Sequence, residues 1–177
     1  MTTGYSIQII VDSGLTSAQR TNLLGLCKAY MMIEHNELDV VITDLIIGEI
    51  KRVEKFTSNF LYVRQIQVSV LSVKGILDLP YIPALKTPSP IFSDNQAVMW
   101  GADNSLIANS SVPITVTYSA GYEVIPEDIL QAIFEATRIF FDREDKLRLP
   151  DKLKAMKEYR EFALSNYRFN ALYSTYV

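Results

Sequence analysis

The chain carries one cysteine, one histidine and one tryptophan in 177 residues, and each scarcity narrows what it can do. A lone Cys27 cannot close an internal disulfide. Set among Leu23, Leu24 and Leu26, it reads as a small buried hydrophobe and not as a reactive thiol. His35 would have to serve any Ser-His-Asp arrangement, yet it lies in Glu34-His-Asn-Glu37, the composition of a solvated turn. Without spaced His or Cys partners, metal binding has no basis. No glycine-rich phosphate cradle occurs among the seven glycines. No apolar run approaches the ~20 residues that span a bilayer, so no membrane partner is expected. Met1-Thr-Thr-Gly-Tyr5 lacks the basic start and apolar core of a signal peptide, so folding in a cytoplasm is expected. Nor is there a basic excess: the formal net charge is -3, which argues against nucleic-acid binding by bulk electrostatics. Internal repeats and low-complexity tracts are absent. The expectation is no catalytic residue, no cofactor and no metal.

What remains is material for a core. Hydrophobic residues make up 49% and charged residues 21% of the chain, the balance of an ordinary globular domain. Beyond residue 126, nine basic side chains offset nine acidic ones, so the net negative charge belongs to the part before. The simplest organisation is a single domain over 1–166, followed by a distinct tail at 167–177.

Helical periodicity is clear in four places. Thr16-Ser-Ala-Gln19 fits a capping box, and Leu23, Cys27, Tyr30 and Met31 follow at helical spacing, which predicts helix one over 17–32. Asn36 can cap a second helix over 38–57, with Glu37 and Asp39 in its first turn and Leu38, Val41, Ile42, Leu45, Ile46, Ile50, Val53 and Phe56 on its apolar face. Glu49, Lys51, Arg52, Glu54 and Lys55 then read as its exposed face. A third helix over 126–141 buries Ile129, Ala132, Ile133, Ala136, Ile139 and Phe140. Asp142-Arg-Glu-Asp-Lys-Leu-Arg148 reads as a solvated helix end, with pairing across a subunit interface as the other reading. Pro150 and Asp151 start a fourth helix over 151–166, carrying Leu153, Met156, Tyr159, Phe162 and Ala163.

Between helices two and three the pattern turns β. Ile66, Val68 and Val70 alternate with Gln67, Ser69 and Leu71, and Tyr5 to Val11 is a further strand-like run near the start. Pro80, Pro83, Pro88 and Pro90 forbid a helix and demote any strand to an edge, which predicts a projecting loop over 75–95. Ala97-Val-Met-Trp100 suggests a short strand and Gly101-Ala-Asp-Asn104 a turn. The β-rich insert thus covers about 60–122. The expected fold class is α+β: a bundle of about four helices with a small antiparallel β element inserted between helices two and three.

The most specific stretch is Ile114-Thr-Val-Thr-Tyr-Ser-Ala-Gly-Tyr122, followed by Val124-Ile-Pro-Glu-Asp-Ile129. Ile114, Val116 and Tyr118 alternate with polar residues as in a half-buried strand. Gly121 supplies the backbone freedom of a tight corner, and Tyr122 follows it. Pro126 suits the first helical position, and Glu127 and Asp128 oppose the positive end of the helix dipole. None of these residues is a plausible catalyst.

A strand ending Val116-Thr-Tyr-Ser-Ala-Gly-Tyr122, then Pro126-Glu-Asp-Ile129 and an amphipathic helix, resembles the head–tail connector (adaptor, or head-completion) family of tailed double-stranded DNA phages. The resemblance covers roughly residues 15–145 and is specific only at 114–134. It implies a structural subunit of a ring, a dodecamer, beneath the portal vertex, made in the host cytoplasm and built into the virion neck. It further implies the portal protein and a tail or stopper protein as partners, and genomic DNA threading the lumen without sequence-specific binding. In such proteins the C-terminal segment reaches into the portal. Here that segment holds Tyr167, Phe169, Tyr173 and Tyr176 and no acid. On residues alone, these rings can equally fold back on their own bundle or dock on a partner, since aromatic side chains suit both; the resemblance favours docking. A stopper or tail-terminator subunit is the alternative within a neck, and a small hydrolase or ligand-binding module the alternative outside it.

Overall fold

The computed structural model describes residues 5–11, 14–70, 73–79, 84–85, 91–92, 99–100, 105–110, 114–141 and 148–167. Its elements run β1 (Tyr5–Val11), α1 (Ser17–Met31), α2 (Asp39–Thr57), β2 (Arg64–Val70), β3 (Val73–Asp78), β4 (Ala84–Leu85), β5 (Ile91–Phe92), β6 (Met99–Trp100), β7 (Ser105–Ser110), β8 (Ile114–Ala120), α3 (Glu127–Phe141), α4 (Leu149–Ala163) and a 3-10 turn, Ser165–Tyr167. The fold is α+β, with four helices and antiparallel sheets. The chain forms two compact units: β1 and the strands within 58–123 make one, and residues 15–57 with α3, α4 and the 3-10 turn make the other.

In the β unit a five-stranded sheet has the order β1-β2-β8-β4, with β5 also on β8, and a second sheet has the order β3-β7-β6. The β2–β8 ladder sets Ile66 against Tyr118 and Val68 against Val116, so the period-two pattern places one row of side chains in the core. These four residues are buried together with Phe60, Leu79, Ala84, Leu106 and Ala120. On the other face Ser69 and Thr115 pair through their hydroxyls at 3.2 Å. Two expectations need correction. The β element is not simply an insert between helices two and three, because β1, ahead of α1, pairs antiparallel with β2. The stretch 75–95 is not wholly a loop. β3 pairs along β7, while β4 and β5 each lend two residues to β8. Pro80, Pro83, Pro88 and Pro90 themselves, like the turn at 101–104, lie outside the described residues.

In the helical unit α3 is central and packs on each of the other three helices. Its buried side is Ile129, Ala132, Ile133, Phe134, Ala136 and Thr137. Phe134 and Thr137 replace the expected Ile139, which is half-buried, and Phe140, which is exposed. The Thr137 hydroxyl is satisfied within the helix by the Ile133 carbonyl at 2.8 Å, so its burial is cheap. α1 starts with the expected capping box: Thr16 Oγ1 accepts from the Gln19 N–H at 3.2 Å, and Gln19 Oε1 accepts from the Thr16 N–H at 2.9 Å. It buries only Leu23 and Cys27. α2 buries Ile42, Ile46, Ile50 and Val53 as expected, but Val41 is exposed. Asn36 does not cap it through its side chain. The Asn36 carbonyl takes the Asp39 N–H at 3.2 Å, and its side chain accepts from Lys28 Nζ at 2.6 Å. On α4 only the middle of the expected apolar stripe is covered. Met156 is buried, whereas Leu153 and Phe162 at its two flanks are exposed.

Candidate functional site

The strand–corner–helix motif divides between the units, with β8 in one and α3 in the other. Tyr118 is buried in the β core. Gly121 sits at φ +126°, a conformation open to glycine and costly for other residues. A Cβ there would stand 2.1 Å from the Tyr62 carbonyl oxygen and 2.8 Å from the Val63 nitrogen. The corner is therefore pressed against the backbone that leads into β2. Tyr122 is half-buried beside it. Pro126 stands one residue ahead of α3, and its carbonyl accepts the first helical bond from the Leu130 N–H at 3.1 Å, so it caps the helix and is not its first member. Asp128 bonds the Ile129 N–H at 3.1 Å, and its other oxygen accepts from the Tyr167 hydroxyl. Tyr167 is thus half-buried against the start of α3. Phe169, Tyr173 and Tyr176 lie outside the described residues.

Three polar clusters hold the helices. The first departs from the expected exposed face of α2. Glu49 is not on an exposed face but 1% exposed, where it accepts from Arg160 of α4 at 2.8 Å and from Arg52. Its spacing gave the signal: Glu49 follows Ile42 and Ile46 and precedes Val53 on the apolar line itself. The second joins α1 to α3. Tyr30 Oη donates to Glu135 at 2.8 Å, and Arg138 forks onto the same carboxylate at 2.6 and 2.9 Å. Hydrogen bonding from Arg138 holds the Glu135 carboxyl below its usual range, while burial and the bond to Glu135 raise the Tyr30 phenol. A carboxylate held ionised and a phenol held protonated are poorly placed to exchange a proton near neutral pH. The third cluster ties Lys28 to Asp39 at 2.7 Å and closes the α1–α2 corner.

His35 is exposed in the turn before α2. Cys27 is fully buried, and burial pushes its thiol up to about 12. Among the described residues no group of three or more His, Cys, Asp or Glu side chains could hold a metal ion, and no helix is long and apolar enough to cross a membrane. What the helical unit does offer is apolar surface. Met32 is 91% exposed and Phe162 83%, with Leu26, Val40, Val41, Leu149 and Leu153 also uncovered.

No known family profile matches the chain, and no characterised protein matches it in sequence. Solved structures do match in fold. One, described as the neck of an empty GTA particle computed with C6 symmetry, has a TM-score of 0.60 at 13% identity over 92% of this chain and 95% of the other. A second, from the neck of a native GTA particle computed with C12 symmetry, has a TM-score of 0.56 at 15% identity over 92% and 94%. A third, from the virion of a native gene transfer agent (GTA) particle, has a TM-score of 0.57 at 11% identity over 87% and 94%. At such identities the likeness establishes a shared fold, and that fold extends over nearly the whole of both chains.

Proposed function

We propose that this chain is a structural subunit of the neck of a tailed, phage-like particle, assembled as a ring that extends the DNA channel between portal and tail. The observation that carries this reading is the likeness in fold to a chain of a particle neck, which spans 92% of this chain and 95% of that one. The uncovered apolar residues of the helical unit and the purely structural roles of its ion clusters support the same reading. Within it, the finer role is that of the head–tail connector, or adaptor. The ring sits in the virion neck, is twelve-fold, binds the portal protein above and a tail or stopper protein below, and passes genomic DNA without reading it. The subunit is made in the host cytoplasm and needs neither cofactor nor membrane.

The portal contact is assigned to Tyr167, Phe169, Tyr173 and Tyr176. Tyr167 then acts as the root of the anchor, since its hydroxyl is tied to Asp128, and the other three rings do the docking. Burial of two or three rings at about 1.5–3 kcal/mol each gives several kcal/mol per subunit, which a ring multiplies into avidity. Deleting 168–177 spares the Tyr167 bond. The truncated protein is expected to keep its circular dichroism spectrum and melting temperature while losing portal in a pull-down. A stable truncation that still binds portal would sink the tail assignment. A lowered melting temperature would show that the tail packs on its own subunit.

A further inference from the structure

On the ring reading above, we propose that one copy's α4 docks antiparallel on α2 of the next copy, with Phe162 seated over Gly48 and Glu158 between Arg52 and Lys55. The observations come from two helix faces that the subunit itself leaves uncovered. On α4, Asp151, Glu158 and Phe162 recur at i, i+7 and i+11, one line along the helix. All three are exposed, and Phe162 offers a ring of which 83% is uncovered. This line is an acidic ridge ending in an aromatic knob. On α2, Val41, Gly48, Arg52 and Lys55 recur at i, i+7, i+11 and i+14 along the flank beside the buried stripe. Val41 is 47% exposed, the Arg52 side chain 49%, and Lys55 is exposed. A Cβ added at Gly48 would meet only the Arg52 guanidinium, at 3.8 Å, so the missing side chain leaves an open notch between an apolar residue and two cations.

The charges choose both the partner face and the direction. With Phe162 over Gly48 and the helices antiparallel, one turn back along α4 brings Glu158 level with Arg52, which also holds Glu49, and Lys55 stands the next turn along α2, within reach of a long side chain. Run parallel, the same seating sets Glu158 beside exposed Asp44 and turns attraction into repulsion. Glu158 is available for this contact, since its ion pair with Lys154 is long, at 3.8 Å, and both side chains are largely exposed. The ridge and the notch are different surfaces, so the contact is heterologous. Repeated around an axis, it closes a ring instead of stopping at a dimer.

The test uses the full chain with paired cysteines, Phe162→Cys and Gly48→Cys, oxidised with diamide and run on non-reducing gels beside electron micrographs of the unmodified protein. The native Cys27 is buried and will not compete. The expected result is a ladder of multimers from the double variant and monomer from each single one. Independently, Glu158→Lys or Lys55→Glu should each raise the concentration for half-assembly at least about tenfold, and the two combined should restore it. Rings in the micrographs without a ladder, and without any effect of charge reversal, would overturn this interface while leaving the neck reading intact. A dimer band from Phe162→Cys alone would replace it with a symmetric α4–α4 contact. Absence of rings under every condition would overturn both.

Discussion

Replacing Gly121 with alanine adds one methyl group to the protein and tests how tightly the β8 corner is set. Two costs follow from the geometry. At φ +126° an alanine is strained whatever the space around it, at about 1–3 kcal/mol for a sparsely populated backbone conformation. In addition, the new carbon would lie 2.1 Å from the Tyr62 carbonyl oxygen and 2.4 Å from its carbon. These are backbone atoms, so relief requires moving the segment that leads into β2 and, with it, the Ile66–Tyr118 register. The two costs together come to at least about 3 kcal/mol, a size seen only for a few structural mechanisms. With a urea m-value of about 1–3 kcal/mol/M, the midpoint should fall by roughly 1–3 M. The single tryptophan, Trp100, lies on β6 in the same unit, so its fluorescence follows the unfolding of the β unit. Gly121→Val should be worse still. An alanine variant whose midpoint stays within error of the parent would refute the argument that the corner demands glycine.

The buried ion cluster makes the next prediction. Glu49→Ala leaves Arg160 and Arg52 without their shared carboxylate, and should cost about 3–5 kcal/mol, read by chemical denaturation. Replacing Glu49 and Arg160 together by methionines should recover most of that loss, because an apolar pair of similar volume needs no counter-charge. Cys27, with its thiol pushed up to about 12, should resist a disulfide reagent at pH 8 in the native protein and react fully in urea. Rapid labelling of the folded protein would contradict its burial. His35→Ala should leave stability and assembly unchanged, since the ring is exposed in a turn; loss of infectivity with normal folding would assign it an interface role.

Local chemistry was legible in the sequence wherever one element decided it. The Thr16–Gln19 capping box, the alternation of Ile66 and Val68, and the Ile42–Ile46–Ile50–Val53 stripe all appear as read, because caps and periodicity act within a few residues. What depends on distant partners was not legible. Glu49 looked like surface because its Arg160 partner lies on another helix, 111 residues away. β1 joins β2 across two intervening helices, and nothing in either strand announces that pairing. The apolar flanks of α4 read as core because periodicity reports which residues avoid water and not what covers them. Leu153 and Phe162 are left open by their own subunit. At the strand–corner–helix motif the glycine was legible, since the positive φ of Gly121 is open to that residue, whereas Pro126 falls one residue ahead of the first helical position that its ring suited. Phe169, Tyr173 and Tyr176 lie outside the described residues, and no local rule assigns such rings to self-packing or to docking.

On the proposed function, copies of this chain form a closed ring that seats on a portal. Electron micrographs of the purified protein, alone and mixed with the portal protein of its own particle, test it most directly. Closed rings with an open central channel that stack coaxially on portal are expected. Monomers that remain monomers at every concentration and leave the portal bare would contradict it.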